Sequence, residues 1–86
     1  MVTKSEILWK YQFSPRDWSM MASMYFMLDK KLQEKFNKAT IELSENATDL
    51  TRNEALFIQS FELDLKRQGM KSFLTAKAKK RLEKVV

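Results

Sequence analysis

A single glycine and a single proline in 86 residues constrain this chain more than anything else it contains. Tight hairpin turns draw on glycine, Asn-Gly pairs and proline, so a chain almost without them cannot reverse often. It must travel in long segments with few bends, as helices do. No strand-like alternation of apolar and polar residues competes with that reading, and the expected fold class is all-α. With 44% apolar and 12% aromatic residues, the chain is rich enough to build a core. One helical domain is expected over residues 1–86, and a chain this short buries only about 60–65% of its unfolded surface. Burial against a partner or a second copy would therefore matter to it.

Three helix starts are written in the same way. Thr3-Lys4-Ser5-Glu6 and Thr51-Arg52-Asn53-Glu54 are capping-box patterns, and Ser14-Pro15-Arg16-Asp17 is the same with Asp in place of Glu and proline at the first helical position. They predict helices over about 4–12, 15–43 and 52–68, the last stopped by Gly69 as a left-handed cap. A basic fourth helix over about 73–84 has Ser72 and Thr75 as competing caps. Residues 44–51 form a polar connector able to reverse the chain.

Trp18, Met21, Tyr25, Leu28, Leu32, Phe36, Ala39 and Leu43 follow the three-and-four spacing of one helix face. They form the expected core seam. Met20, Met24 and Met27, with Phe26, add a second face, so from Trp18 to Leu28 the long helix is apolar nearly all round. Either the first helix, through Ile7, Leu8, Trp9, Tyr11 and Phe13, covers one side and the third helix the other, or the methionines form an adaptable surface for a partner or a second copy of the chain. Phe57, Ile58, Phe61 and Leu65 align on the third helix. Zipped against the long helix, they give a small three- to four-helix bundle built around an antiparallel helical hairpin.

The stretch Phe57-Ile58-Gln59-Ser60-Phe61-Glu62-Leu63-Asp64-Leu65-Lys66-Arg67 resembles the second helix of the Sda family of sporulation inhibitors, and Lys38-Ala39-Thr40 resembles the end of that family's first helix. The resemblance implies a helical hairpin that docks on a host regulator such as a sensor histidine kinase. This chain departs from the family in its longer connector, its added N-terminal helix and its basic C-terminal segment.

Catalytic chemistry has little to work with. Without histidine or cysteine there is no imidazole proton shuttle and no thiolate. The serines have no histidine to activate them, and one glycine cannot make a phosphate loop. Asp17, Glu34, Glu42, Glu54, Glu62 and Asp64 read as helix starts or solvated positions. No enzyme activity, cofactor or metal is expected. No apolar run approaches the roughly 18 residues of a membrane span, and the first residues do not read as a secretory leader, so a cytoplasmic location is expected.

Charge is distributed unevenly. Residues 1–70 carry ten cations and ten carboxylates, whereas Lys71, Lys77, Lys79, Lys80, Arg81 and Lys84 face only Glu83. The whole net charge of +5 therefore sits in the last segment, which points to nucleic acid, an acidic protein face or a membrane surface. The run from Leu63 to Leu82 has the outline of a helix-turn-helix.

Together these observations predict a non-enzymatic regulator, of bacterial or phage type, that inhibits or modulates a host regulatory protein such as a sensor kinase or a transcription or replication regulator. Met20, Met24, Met27, Phe57 and Phe61 are the expected contacts, with Lys77, Lys79, Lys80 and Arg81 as an electrostatic adjunct. The alternatives are a DNA-binding regulator using the C-terminal helix, and a homodimer.

Overall fold

The computed structural model describes residues 2–86, and within them the chain is all-helical. Five α-helices occur in order: α1 (Lys4–Lys10), α2 (Pro15–Ser23), α3 (Lys30–Asn46), α4 (Arg52–Arg67) and α5 (Ala76–Val85), with a 3-10 turn at Tyr25–Met27. Each start has a side-chain cap. Thr3, Ser14, Asp29, Thr51 and Thr75 accept from the backbone N–H three residues on, satisfying a donor that has no partner inside the helix. Ser14/Asp17 and Thr51/Glu54 close full reciprocal boxes, whereas Thr3 makes only the forward half with Glu6. Thr75 wins the start of α5, and Ser72 instead donates to Glu62 Oε2 at 2.7 Å. Gly69 takes φ +83°, the left-handed cap expected after α4, and the Met70 N–H donates back to the Leu65 carbonyl.

The helix expected over 15–43 is not continuous. It ends at Ser23, passes through the 3-10 turn, and restarts at Lys30. Two sets of bonds hold the break. Asp29 caps the new helix through the Leu32 N–H at 2.8 Å. Gln33 and Asn37, one turn apart on α3, then grip Tyr25 at both ends: the Gln33 amide donates to the Tyr25 carbonyl at 2.9 Å, and the Tyr25 hydroxyl donates to Asn37 Oδ1 at 3.1 Å. The seam is accordingly interrupted. Trp18, Tyr25, Phe36, Ala39 and Leu43 are buried, but Leu32 is exposed. The first helix is also shorter than expected, closing at Lys10 before Gln12 turns to φ 63°.

The core is aromatic at its centre. Phe36 packs against Trp18, Tyr25 and Phe61 with ring centroids at 6.0, 5.7 and 5.2 Å, and Phe61 reaches on to Tyr25 and Phe73. Trp18 and Phe36 are stacked and the other pairs meet edge to face; such pairs contribute about 0.5–1.5 kcal/mol each beyond burial. Ile7 and Leu8 from α1, Ile58 and Leu65 from α4, and Ala78 and Leu82 from α5 complete it. The fully buried alanines let α5 lie close to both α3 and α4. Buried polar groups are paired: the Trp18 indole donates to Thr40 Oγ1 at 2.9 Å, while the Thr40 and Ser44 hydroxyls donate to the carbonyls one turn back.

Candidate functional site

The break between α2 and α3 leaves a furrow. Ala22, Ser23, Tyr25 and Phe26 form one wall, and Phe57, Ser60, Phe61, Asp64, Leu65 and Arg67 of α4, with its cap Gln68, form the other. It consists of two confluent depressions of about 210 and 440 Å³ that share Ala22, Ser23, Phe61 and Asp64. The α4 residues recur at three- and four-residue intervals over eleven positions, so this wall runs for about 16 Å, three helical turns. Phe61, at 8% exposure, belongs to both depressions. Phe57 and Phe26, at 36% and 57%, stand proud. Asp64 and Arg67 add charge at the α4 wall and pair with each other at 3.5 Å.

The sequence-predicted contact residues fall into two groups. Met20, Met24 and Met27 are exposed, Met27 to 82%, so α1 does not cover them. They belong to the same segment as the furrow wall without lining it. Phe57 is at the surface, with its ring 5.2 Å from Trp18, whereas Phe61 is a core residue. Expectation also fails for Trp9, which is 74% exposed instead of packing; Ile7 and Leu8 take the inward face of the short α1. The furrow itself was invisible in the sequence because it depends on the break before Asp29. The signal available was Asp29 directly before a fresh three-and-four pattern, the usual form of an N-cap.

The basic residues also separate. Lys77, Lys80, Arg81 and Lys84 surround one shallow depression on α5. Lys79 lies around the helix, in a crevice with Glu83, Glu62 and Leu63. Arg81 faces inward: its guanidinium donates to the Leu43 and Ser44 carbonyls at 3.4 and 3.2 Å and to the Ala47 carbonyl. These carbonyls belong to the last turn of α3 and its cap, where the helix carries its partial negative charge; the Leu43 carbonyl also accepts from the Ala47 N–H. Arg81 is thus a structural clamp between α5 and α3. The helix-turn-helix outline does not form, because residues 68–75 separate α4 from α5 where that motif uses a turn of about three or four residues.

Glu42, Glu54, Glu62 and Asp64 are tied into ion pairs, and Asp17, Asp29 and Glu54 into helix caps. Glu54 closes its capping box and accepts from Lys4 Nζ at 2.6 Å. Burial alone would raise its pKa, but the bonds from Lys4 and from the Thr51 backbone and hydroxyl outweigh burial and lower it. Glu42 behaves alike, burial being outweighed by bonds from Tyr11 and Lys10. Desolvation, with the adjacent Glu42, pushes Tyr11 up to about 12. Among the described residues, no group of three or more Asp or Glu side chains is placed to hold a metal, and no helix is long and apolar enough to cross a membrane. No family model, no curated protein and no solved structure matches the sequence.

Proposed function

We propose that this chain is a small non-enzymatic regulator of bacterial or phage origin, acting in the cytoplasm by taking up an apolar helix of a host regulatory protein in the furrow between residues 22–26 and α4. The observation that carries the reading is the furrow: an aromatic floor at Phe61, with Phe57 and Phe26 left uncovered beside it. Its length of about three turns suits an amphipathic helix that anchors at i, i+3, i+4 and i+7. In this reading α3 and α4 act as an antiparallel hairpin that keeps the α4 wall rigid. The exposed methionines provide a remoulding rim, since unbranched thioether side chains adapt to the shape they meet.

A displayed library of amphipathic helical peptides tests this directly. Selected binders should carry the i, i+3, i+4, i+7 apolar pattern. They should lose at least about tenfold in affinity, or about 1.4 kcal/mol, against Phe26→Glu and Ser60→Arg, exposed positions whose replacement leaves the melting temperature within a few degrees of the parent. Enrichment of no peptide that depends on these residues would refute it. Sedimentation that shows a dimer abolished by Met27→Glu would instead assign the surface to a second copy of the chain.

A further inference from the structure

We propose that the outer face of α5 is a second, independent surface that binds the phosphate backbone of duplex DNA without reading its sequence. Lys77, Lys80, Arg81 and Lys84 stand at i, i+3, i+4 and i+7, so they fall on one stripe of the helix and together surround a depression of about 340 Å³. Among the described residues, Lys77, Lys80 and Lys84 make no ion pair with a carboxylate. The one acid of the segment, Glu83, lies in the crevice on the other side of the helix. Three cations therefore face solvent with no ion-pair partner among the described residues.

The neighbouring residues decide the class of partner. Of the apolar side chains of α5, Ala78 and Leu82 are buried and Val85 packs against the core, so only Ala76 is left exposed and there is no apolar stripe to sink into a bilayer, which surface-bound amphipathic helices require. Protein interfaces are poor in lysine and rich in aromatic anchors, and the residues of this depression are four cations and nothing else. A polyanion met by point charges fits what remains. From Lys77 to Lys84 the helix rises about 10 Å, close to three base-pair steps of about 3.4 Å along one strand. Arg81, the residue on this face able to grip a base edge with two bonds, is committed to the end of α3. Contact is thereby restricted to phosphates, and all sequences should bind alike.

Fluorescence anisotropy with a labelled duplex of about 20 base pairs, in two unrelated sequences, tests the proposal on the full chain. With three phosphates neutralised, log Kobs should fall against log salt with a slope of about −2.7, a loss of about 40-fold between 50 and 200 mM. The variant Lys77→Gln/Lys80→Gln/Lys84→Gln keeps Arg81, so its fold and melting temperature should match the parent. Its binding at 50 mM salt should fall at least about tenfold. Equal binding by parent and variant would overturn the assignment, as would no parent binding at 50 mM salt or a clear preference between the two sequences. Vesicles of phosphatidylserine and phosphatidylcholine form the second arm; binding to them as tight as to DNA would move the surface to a membrane and overturn it too.

Discussion

Replacing Arg81 by alanine should destabilise this protein more than any other substitution among its basic C-terminal residues. The guanidinium donates to three carbonyls at the end of α3, with Ser44 and Ala47 fully buried. A charge-assisted bond contributes about 1.5–3 kcal/mol, and a cation at a helix C-terminus about 0.3–1 kcal/mol more. The contacts to Leu43 and Ser44 are long and the guanidinium is only half-buried, so they count at the low end. A loss of about 2–3 kcal/mol follows, against a total of about 4–13 kcal/mol for a domain this size. It corresponds to a drop of about 10–20 °C in melting temperature. Lys80→Ala, one residue away and facing solvent, should stay within about 0.5 kcal/mol of the parent. Urea unfolding followed by far-ultraviolet circular dichroism reads both. Arg81→Lys should fall between them, because an ammonium keeps the charge but loses the planar fork. An Arg81→Ala variant as stable as Lys80→Ala would show that the clamp contributes nothing and that Ala78 and Leu82 alone seat α5.

Three further outcomes are open to measurement. Trp9 is 74% exposed and Trp18 6%, so acrylamide should quench most of the emission of a Trp18→Phe variant and little of that of Trp9→Phe; equal quenching would contradict the short α1. Gly69→Ala should cost about 1 kcal/mol by denaturant unfolding, an effect of the left-handed backbone, because nothing lies within 4 Å of the added methyl group. Glu54 and Glu42 have lowered pKa values in the folded state, so their stabilisation is present above the ordinary value of 4.5 and is lost as pH falls through the depressed ones. Tyr11 is raised instead, to about 12, so its contribution is complete below 10 and disappears as pH rises towards 12. Stability measured across pH should show both limbs, and Glu54→Gln should flatten the acid one.

Local chemistry made much of the fold legible. Side-chain caps at Thr3, Ser14 and Thr51, and the left-handed Gly69, depend on residues within a few positions of each other, so the helix starts and the end of α4 could be read directly. Tertiary decisions were another matter. Arg81 looked like a ligand-facing cation because all it displays in sequence is a charge beside lysines; its partners are carbonyls 34 to 38 residues away. For Phe61, helical periodicity gives a face without saying which neighbour covers it; the fold buries it to 8% exposure while keeping it in the lining of the furrow.

The segment from Trp18 to Leu28 shows why such errors cluster where function is proposed. A straight helix that is apolar all round has to be covered on every side, and 86 residues cannot supply that much cover. Bending the segment at Met24 and restarting at Asp29 resolves the conflict: Trp18 and Tyr25 enter the core, where Thr40 and Asn37 accept from their polar ends. The same bend puts Met20, Met24, Phe26 and Met27 outside and opens the furrow against α4. Straightening it would require Gln33 and Asn37 to release Tyr25, and the Asp29 cap to be given up for ordinary helical bonding. The uncovered apolar side chains are therefore not a loose end of the fold. They are left outside by the contacts that bury Tyr25, so a partner of the proposed kind would meet a wall already fixed in place, with little ordering cost left to offset.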